Sequence, residues 1–134
     1  MMALLLDTNL LIEHPDLSLL PAPVTDLEMV TSVLCYAELA EGEFSADPVT
    51  AADAILQLAV ANEALGDGLP FGKAELTAYR AICAAVVRQG RTLTRARRVD
   101  MMIAATALAN GLVLATRNVD DFDGIDAIVT VVAL

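Results

Sequence analysis

What most constrains this chain is an alternation. Apolar runs too short for helices alternate with longer segments that carry helix start and stop signals. Residues 2–6 (MALLL) end abruptly at Asp7, and TNLLIEH after them is helix-compatible. Pro15, Pro21 and Pro23 mark a loop, and residues 29–31 form a second short run. Ser32 is placed to cap a helix over 33–44. Asp47-Pro48 is a start signal for a helix over 48–64 that ends near Gly66. A further helix is expected over 74–89, and one over 99–110 ended by Gly111. Residues 112–115 and 127–134 (AIVTVVAL) read as strands, the last one apolar on both faces and so expected inside the sheet. Such an order specifies an α/β fold: a three-layer α/β/α domain with a central parallel sheet.

Length and composition narrow the classes. A chain of 134 residues is one domain, 1–134, and 57% apolar residues supply a core and exclude disorder. Three Phe, two Tyr and no Trp argue against a lectin-like or base-stacking surface of the single-strand-binding kind. Cys35 and Cys83 lie in apolar helical patterns and are expected as buried free thiols. The N-terminus lacks a basic region before its short apolar run, so no signal peptide is expected. The longest uncharged stretch, residues 101–116, is too short for a membrane span. A cytoplasmic protein is expected, with no membrane partner.

The charge is uneven. The formal net charge is −10, which disfavours gripping nucleic acid by broad neutralisation, although metal-assisted contact with phosphate stays open. Residues 1–72 contain no Lys or Arg but hold twelve of the eighteen acids. Such a half calls for metal ions or a basic partner. Arg91, Arg95, Arg97 and Arg98 crowd the connector before the 99–110 helix. They are candidate RNA phosphate contacts, or simply a solvated helix end.

In open parallel sheets, ligands bind at the carboxyl ends of the strands. Asp7 follows the first strand, Asp121 lies in the loop after the 112–115 strand, and Asp100 starts the helix leading into it. Glu38 sits mid-helix in SVLCYAELAEG, on a largely apolar face where an unpaired carboxylate is costly. Converging carboxylates suit a hard divalent cation, Mg²⁺ or Mn²⁺, which bridges phosphate oxygens and needs no Ser, Cys or His nucleophile. The bland readings stand beside this: Asp7 and Asp100 as helix caps, Asp120, Asp121, Asp123 and Asp126 as solvated loop acids, and Glu38 as partly exposed. His14, beside Pro15, reads as an ordinary surface residue.

The pieces DTNLLI (7–12), SVLCYAEL with Gly42 after it (32–42), VDMMIAATALANGL (99–112) and VLATRNVDDF (113–122) occur in that order. Together they resemble the PIN-domain family, most closely the toxins of VapBC-type toxin–antitoxin pairs. The resemblance implies an Mg²⁺- or Mn²⁺-dependent endoribonuclease, a homodimer and a co-encoded antitoxin that blocks the site. It implies Asp7, Glu38, Asp100 and Asp121 as the catalytic, metal-holding acids. Many relatives carry Asp directly after T-R, where this chain has Asn118. That residue is then implied as a neutral residue that binds the metal or positions a water, with Asp120 as the alternative to Asp121. Asn9 and Thr116 are implied as residues that hold the carboxylates in place.

Two other readings compete. One is a PIN scaffold without catalysis that binds an antitoxin or RNA. The other is a phosphoryl-transfer domain with Asp7 as nucleophile. That reading fails locally: position 9 is Asn rather than an acid, and the only Lys is Lys73.

Overall fold

The structure is a computed structural model, and it describes residues 3–13 and 28–134. The loop expected around Pro15, Pro21 and Pro23, and the surface placement of His14, lie outside the described residues.

β1 (Ala3–Leu6) leads into α1 (Thr8–Glu13), and β2 (Glu28–Val30) precedes α2 (Val33–Glu41). Ser32 caps α2, its hydroxyl accepting from the Leu34 amide at 3.0 Å. A 3-10 turn (Gly42–Phe44) completes the run to residue 44. α3 (Pro48–Leu65) starts on Asp47, whose carboxylate accepts from the Val49 and Thr50 amides, and it stops at Gly66. α4 (Lys73–Arg88) and α5 (Arg98–Ala109) follow, and Gly111 adopts the positive φ of 65° that ends α5. β3 (Val113–Thr116), a 3-10 turn (Val119–Phe122) and β4 (Val131–Ala133) complete the chain. Gly42 is required by packing: a Cβ there would lie 2.8 Å from that of Ala54, so it lets the end of α2 approach α3.

The four strands are all parallel, in the order β2-β1-β3-β4. This is the α/β architecture with a central parallel sheet that the sequence specifies. Two of its details differ. The last strand is only three residues long and lies at the sheet edge, partly exposed. Residues 126–129 form turns instead, and Ile125 and Val129 send their side chains into the core. The apolar character of AIVTVVAL therefore reflects packing of a turn as well as a strand. Cys35 is buried as expected, but Cys83 is only half-buried.

Leu4, Leu5, Leu6, Leu114 and Ala115 form the middle of the core, and Leu10, Ile82, Ile103 and Phe122 close over them. α1, α2 and α3 pack on one another, while α4 pairs with α5. No helix among the described residues is long and apolar enough to cross a membrane.

The strand order marks the crevice where open parallel sheets take ligands. From β1 the chain moves to β2 on one side, while β3 lies on the other and continues outward to β4. The order therefore reverses between β1 and β3, and the crevice beyond their carboxyl ends is the natural ligand position. Leu6 pairs with Ala115 in register, so Asp7 and Thr116 are the next residues out on the two strands.

Candidate active site

Asp7 is buried, with 4% of its surface exposed. Its Oδ1 accepts from the Thr8 amide and its Oδ2 from the Thr116 hydroxyl, both at 2.8 Å. The Asn118 amide in turn donates to Thr116 Oγ1 at 3.1 Å. Burial pushes the Asp7 carboxyl above the ordinary value, the bonds from Thr116 and Thr8 oppose that push, and the charge of Asp121 adds to it.

Glu38 lies in α2 beside buried Leu39 and one turn on from buried Cys35. It is half-buried, and the Thr8 hydroxyl donates to its Oε1 at 2.5 Å. Its pKa is raised by burial first, against the Thr8 bond, with Asp7 and Glu41 adding repulsion. The carboxylate on an apolar helix face thus has a hydrogen-bond partner. Thr8 is the residue that sequence reasoning missed. Its amide serves Asp7 and its hydroxyl serves Glu38, and its place directly after Asp7 in DTN was the available signal.

Asp100 sits in the first turn of α5, whose cap residue is Arg97 with no side-chain cap bond. Asp100 is therefore not the cap of its helix. Its pKa is pushed up to about 7 by burial, then by the charges of Asp7, Asp121 and Glu38, with Arg97 pulling the other way. Asp121 stands exposed on the 3-10 turn anchored by buried Phe122. The Arg97 guanidinium donates to the Asp121 backbone carbonyl. Asp120 is on the same turn and exposed, yet only Asp121 is among the charges acting on Asp7 and Asp100.

Acids from four parts of the chain therefore meet at the crevice, with Asp7, Asp121 and Glu38 all acting on Asp100. Asn9 lies beside them, its Oδ1 accepting from the Arg117 amide at 3.4 Å, which braces α1 against the loop after β3. Asn118 heads the 3-10 turn, its carbonyl accepting from the Asp121 amide at 3.1 Å. Among the described residues, no group of three or more His, Cys, Asp or Glu side chains forms a ready-made metal shell. The donor chemistry nevertheless fits a hard cation. Every candidate ligand is an oxygen donor, and burial first, then neighbouring negative charge, raises the carboxyls of Asp7, Glu38 and Asp100.

The arginines divide. Arg91 pairs with Asp123 at 3.5 Å and Arg97 holds the Asp121 carbonyl, so both already serve the fold. Arg95 and Arg98 are exposed. On the far side of the site, a groove of about 260 Å³ opens beside Glu38, lined by Ile12, Leu39, Thr50, Asp53 and Gln57.

No family model and no curated protein matches the chain. Solved structures do. A chain of VapBC-5, a member of the VapBC family of toxin–antitoxin systems from Mycobacterium tuberculosis, matches with a TM-score of 0.77 and 25% identity, covering 100% of this chain and 98% of that one. A chain of FitAcB from Neisseria gonorrhoeae matches with a TM-score of 0.71 and 26% identity over 96% of this chain and 95% of that one. VapBC-1 from nontypeable Haemophilus influenzae gives 0.70 and 25% identity, with 98% of each chain covered. Motif and fold agree: the chain is similar throughout its length to these VapBC and FitAcB chains and is consistent with a PIN-domain toxin of the VapC type.

Proposed function

We propose that the chain is an Mg²⁺- or Mn²⁺-dependent endoribonuclease that acts as the toxin of a toxin–antitoxin pair in the cytoplasm. The observation that carries this reading is the convergence of acids at the crevice between β1 and β3: Thr8 bonds both Asp7 and Glu38, Thr116 bonds Asp7, and the charges of Asp7, Asp121 and Glu38 all bear on Asp100. Those four residues would hold the cation. When bound, it supplies positive charge against the scissile phosphate and lowers the pKa of water.

The chain's own residues do the positioning. Thr116 and the Thr8 amide fix both oxygens of Asp7, so its carboxylate does not rotate freely. The Thr8 hydroxyl fixes Glu38, which is the acid placed to orient a water and take its proton. Arg97 holds the turn that presents Asp121. Hydrolysis by water would leave 5′-phosphate and 3′-hydroxyl ends.

The partner of such a toxin is an antitoxin. Structures of its neighbours are of toxin–antitoxin pairs, and the charge pattern suits a basic segment. Residues 1–72 contain no Lys or Arg, so an arginine laid along the groove beside Glu38 would meet the acids Glu38 and Asp53 and no opposing Lys or Arg from this half of the chain. A guanidinium there would pair bidentately with a carboxylate and occupy the site. The homodimer belongs to the same proposal.

One observation favours the alternative, a scaffold that binds antitoxin or RNA without cutting: the acids form no ready-made metal shell among the described residues. Incubating RNA with the protein and Mg²⁺ or Mn²⁺ separates the two. Cleavage by the wild type that is abolished in Asp100→Asn supports the nuclease. No cleavage by the wild type across metals and RNAs supports the scaffold.

A further inference from the structure

A second cavity lies outside the acid cluster, between α4 and α5. It measures about 170 Å³, close to the roughly 150 Å³ of a cavity that admits a benzene ring. Its buried lining is Val86 and Met101, and its half-buried wall is the Tyr79 ring. Phe71 meets that ring edge-on, with centroids 6.4 Å apart at 74°. Leu93, from the connector, and Arg97 and Arg98 also line it. Thr92 and Thr94 add exposed hydroxyls.

Arg97 is the shared wall: it lines this cavity while its guanidinium holds the Asp121 carbonyl and its charge acts on Asp100. Arg97 therefore links the cavity to the acid cluster. We propose that the cavity is a nucleotide subsite, which takes one unstacked base of the RNA with its phosphate on Arg98. The proposal rests on the ribonuclease reading for the identity of the long substrate, and it adds a specificity site to it.

Three features select a nucleotide. An aromatic ring beside apolar side chains is a stacking surface for a splayed-out base. Guanidinium groups match phosphate oxygens bidentately. Threonine hydroxyls both donate and accept, so they serve a base edge or a 2′-hydroxyl. The rest of the chain discourages phosphate, since its net charge is −10 and residues 1–72 carry no cation. The exposed connector arginines, Arg95 and Arg98, are thus where the strand can be held, and this cavity is where it can be read.

The test uses the full chain in EDTA, so neither cations nor cleavage take part. Each of the four ribonucleoside 5′-monophosphates, inorganic phosphate and a short poly-glutamate peptide are titrated by calorimetry. At least one nucleotide should bind ten-fold or more tightly than inorganic phosphate. Arg98→Gln and Tyr79→Leu should each weaken it about ten-fold, with melting curves confirming that both variants are folded. A preference among the four bases would identify the nucleotide read. The proposal is overturned if no nucleotide outperforms phosphate, if neither substitution changes the affinity, or if the acidic peptide binds as tightly as the best nucleotide. Failure of RNA cleavage by the wild type would refute the nuclease and leave this binding result standing, and the converse holds equally.

Discussion

The Thr8 hydroxyl donates to Glu38 at 2.5 Å, and this bond ties the end of the first strand to a helix that begins after residue 30. The same residue's amide holds Asp7 at 2.8 Å. One threonine thus sets the distance between two acids that repel each other.

Replacing it tests that role. Thr8→Val keeps the volume and removes the hydroxyl, so it should lower RNA cleavage by roughly 10–100-fold, the usual effect of losing a residue that orients a metal ligand. Thr8→Ser should retain most of the activity. The Thr8 bond lowers the Glu38 pKa, so in Thr8→Val the rising limb of the pH–rate profile should move to higher pH. An unchanged profile and rate would remove Thr8 from the site.

The two neighbouring aspartates of the 3-10 turn should behave differently. Asp121 acts on both Asp7 and Asp100. Asp121→Asn should therefore weaken Mn²⁺ binding measured by calorimetry, and cut activity by more than the roughly 10–100-fold typical of outer partners. Asp120→Asn should leave both near wild type. Equal losses would show that the turn presents its acids in another register.

Stability should depend on pH in a direction set by Asp100. Its folded pKa is raised from 3.8 to about 7, so between those values the folded state holds a proton that the unfolded state has lost. The contribution is fully present below the lower value and is lost as pH rises through the upper one. Burial of Asp7 and Glu38 acts in the same sense. Urea unfolding of the metal-free wild type and Asp100→Asn at pH 4, 5.5 and 7.5 isolates the effect. The wild type should lose ground to the variant as pH rises, and a flat difference would contradict the raised pKa.

Ser32 holds the start of the helix that carries Glu38. Its hydroxyl accepts from the Leu34 amide at 3.0 Å, and it is fully buried. Ser32→Ala should cost about 1 kcal/mol of stability in denaturant unfolding. A loss near zero would mean that the bond between Val33 and Leu69, rather than the cap, sets the entry of α2.

Local chemistry made much of this fold readable. Ser32, Asp47-Pro48, Gly66 and Gly111 each satisfy or release backbone groups within a few residues, so the helix ends follow from short windows. The acids adjoining strand ends were readable for the same reason, because parallel sheets place ligands there. Edge position was not readable. The apolar run before the C-terminus reports burial, and burial is shared between a three-residue edge strand and the turn that packs Ile125 and Val129 into the core. Nor could the sequence reveal that Arg97 reaches the Asp121 carbonyl, since that bond depends on how the connector returns to the sheet. The motifs nominated Asp7, Glu38, Asp100 and Asp121, while the hydrogen bonds around Asp7 and Glu38 appear only once the fold brings β1, α2 and β3 together.

The central claim, that the four acids form a cation site, is tested most directly by melting wild type and Asp100→Asn at pH 7.5, in EDTA and in excess Mn²⁺. A cation that binds only the folded state stabilises it by mass action. Like charges held together destabilise it when the cation is removed. Asp100→Asn should therefore melt above wild type in EDTA, Mn²⁺ should raise the wild-type Tm, and the gap should close or reverse with metal. If Asp100→Asn melts lower in EDTA and Mn²⁺ leaves the wild type unmoved, Asp100 supports the fold alone and the acids are not a metal site.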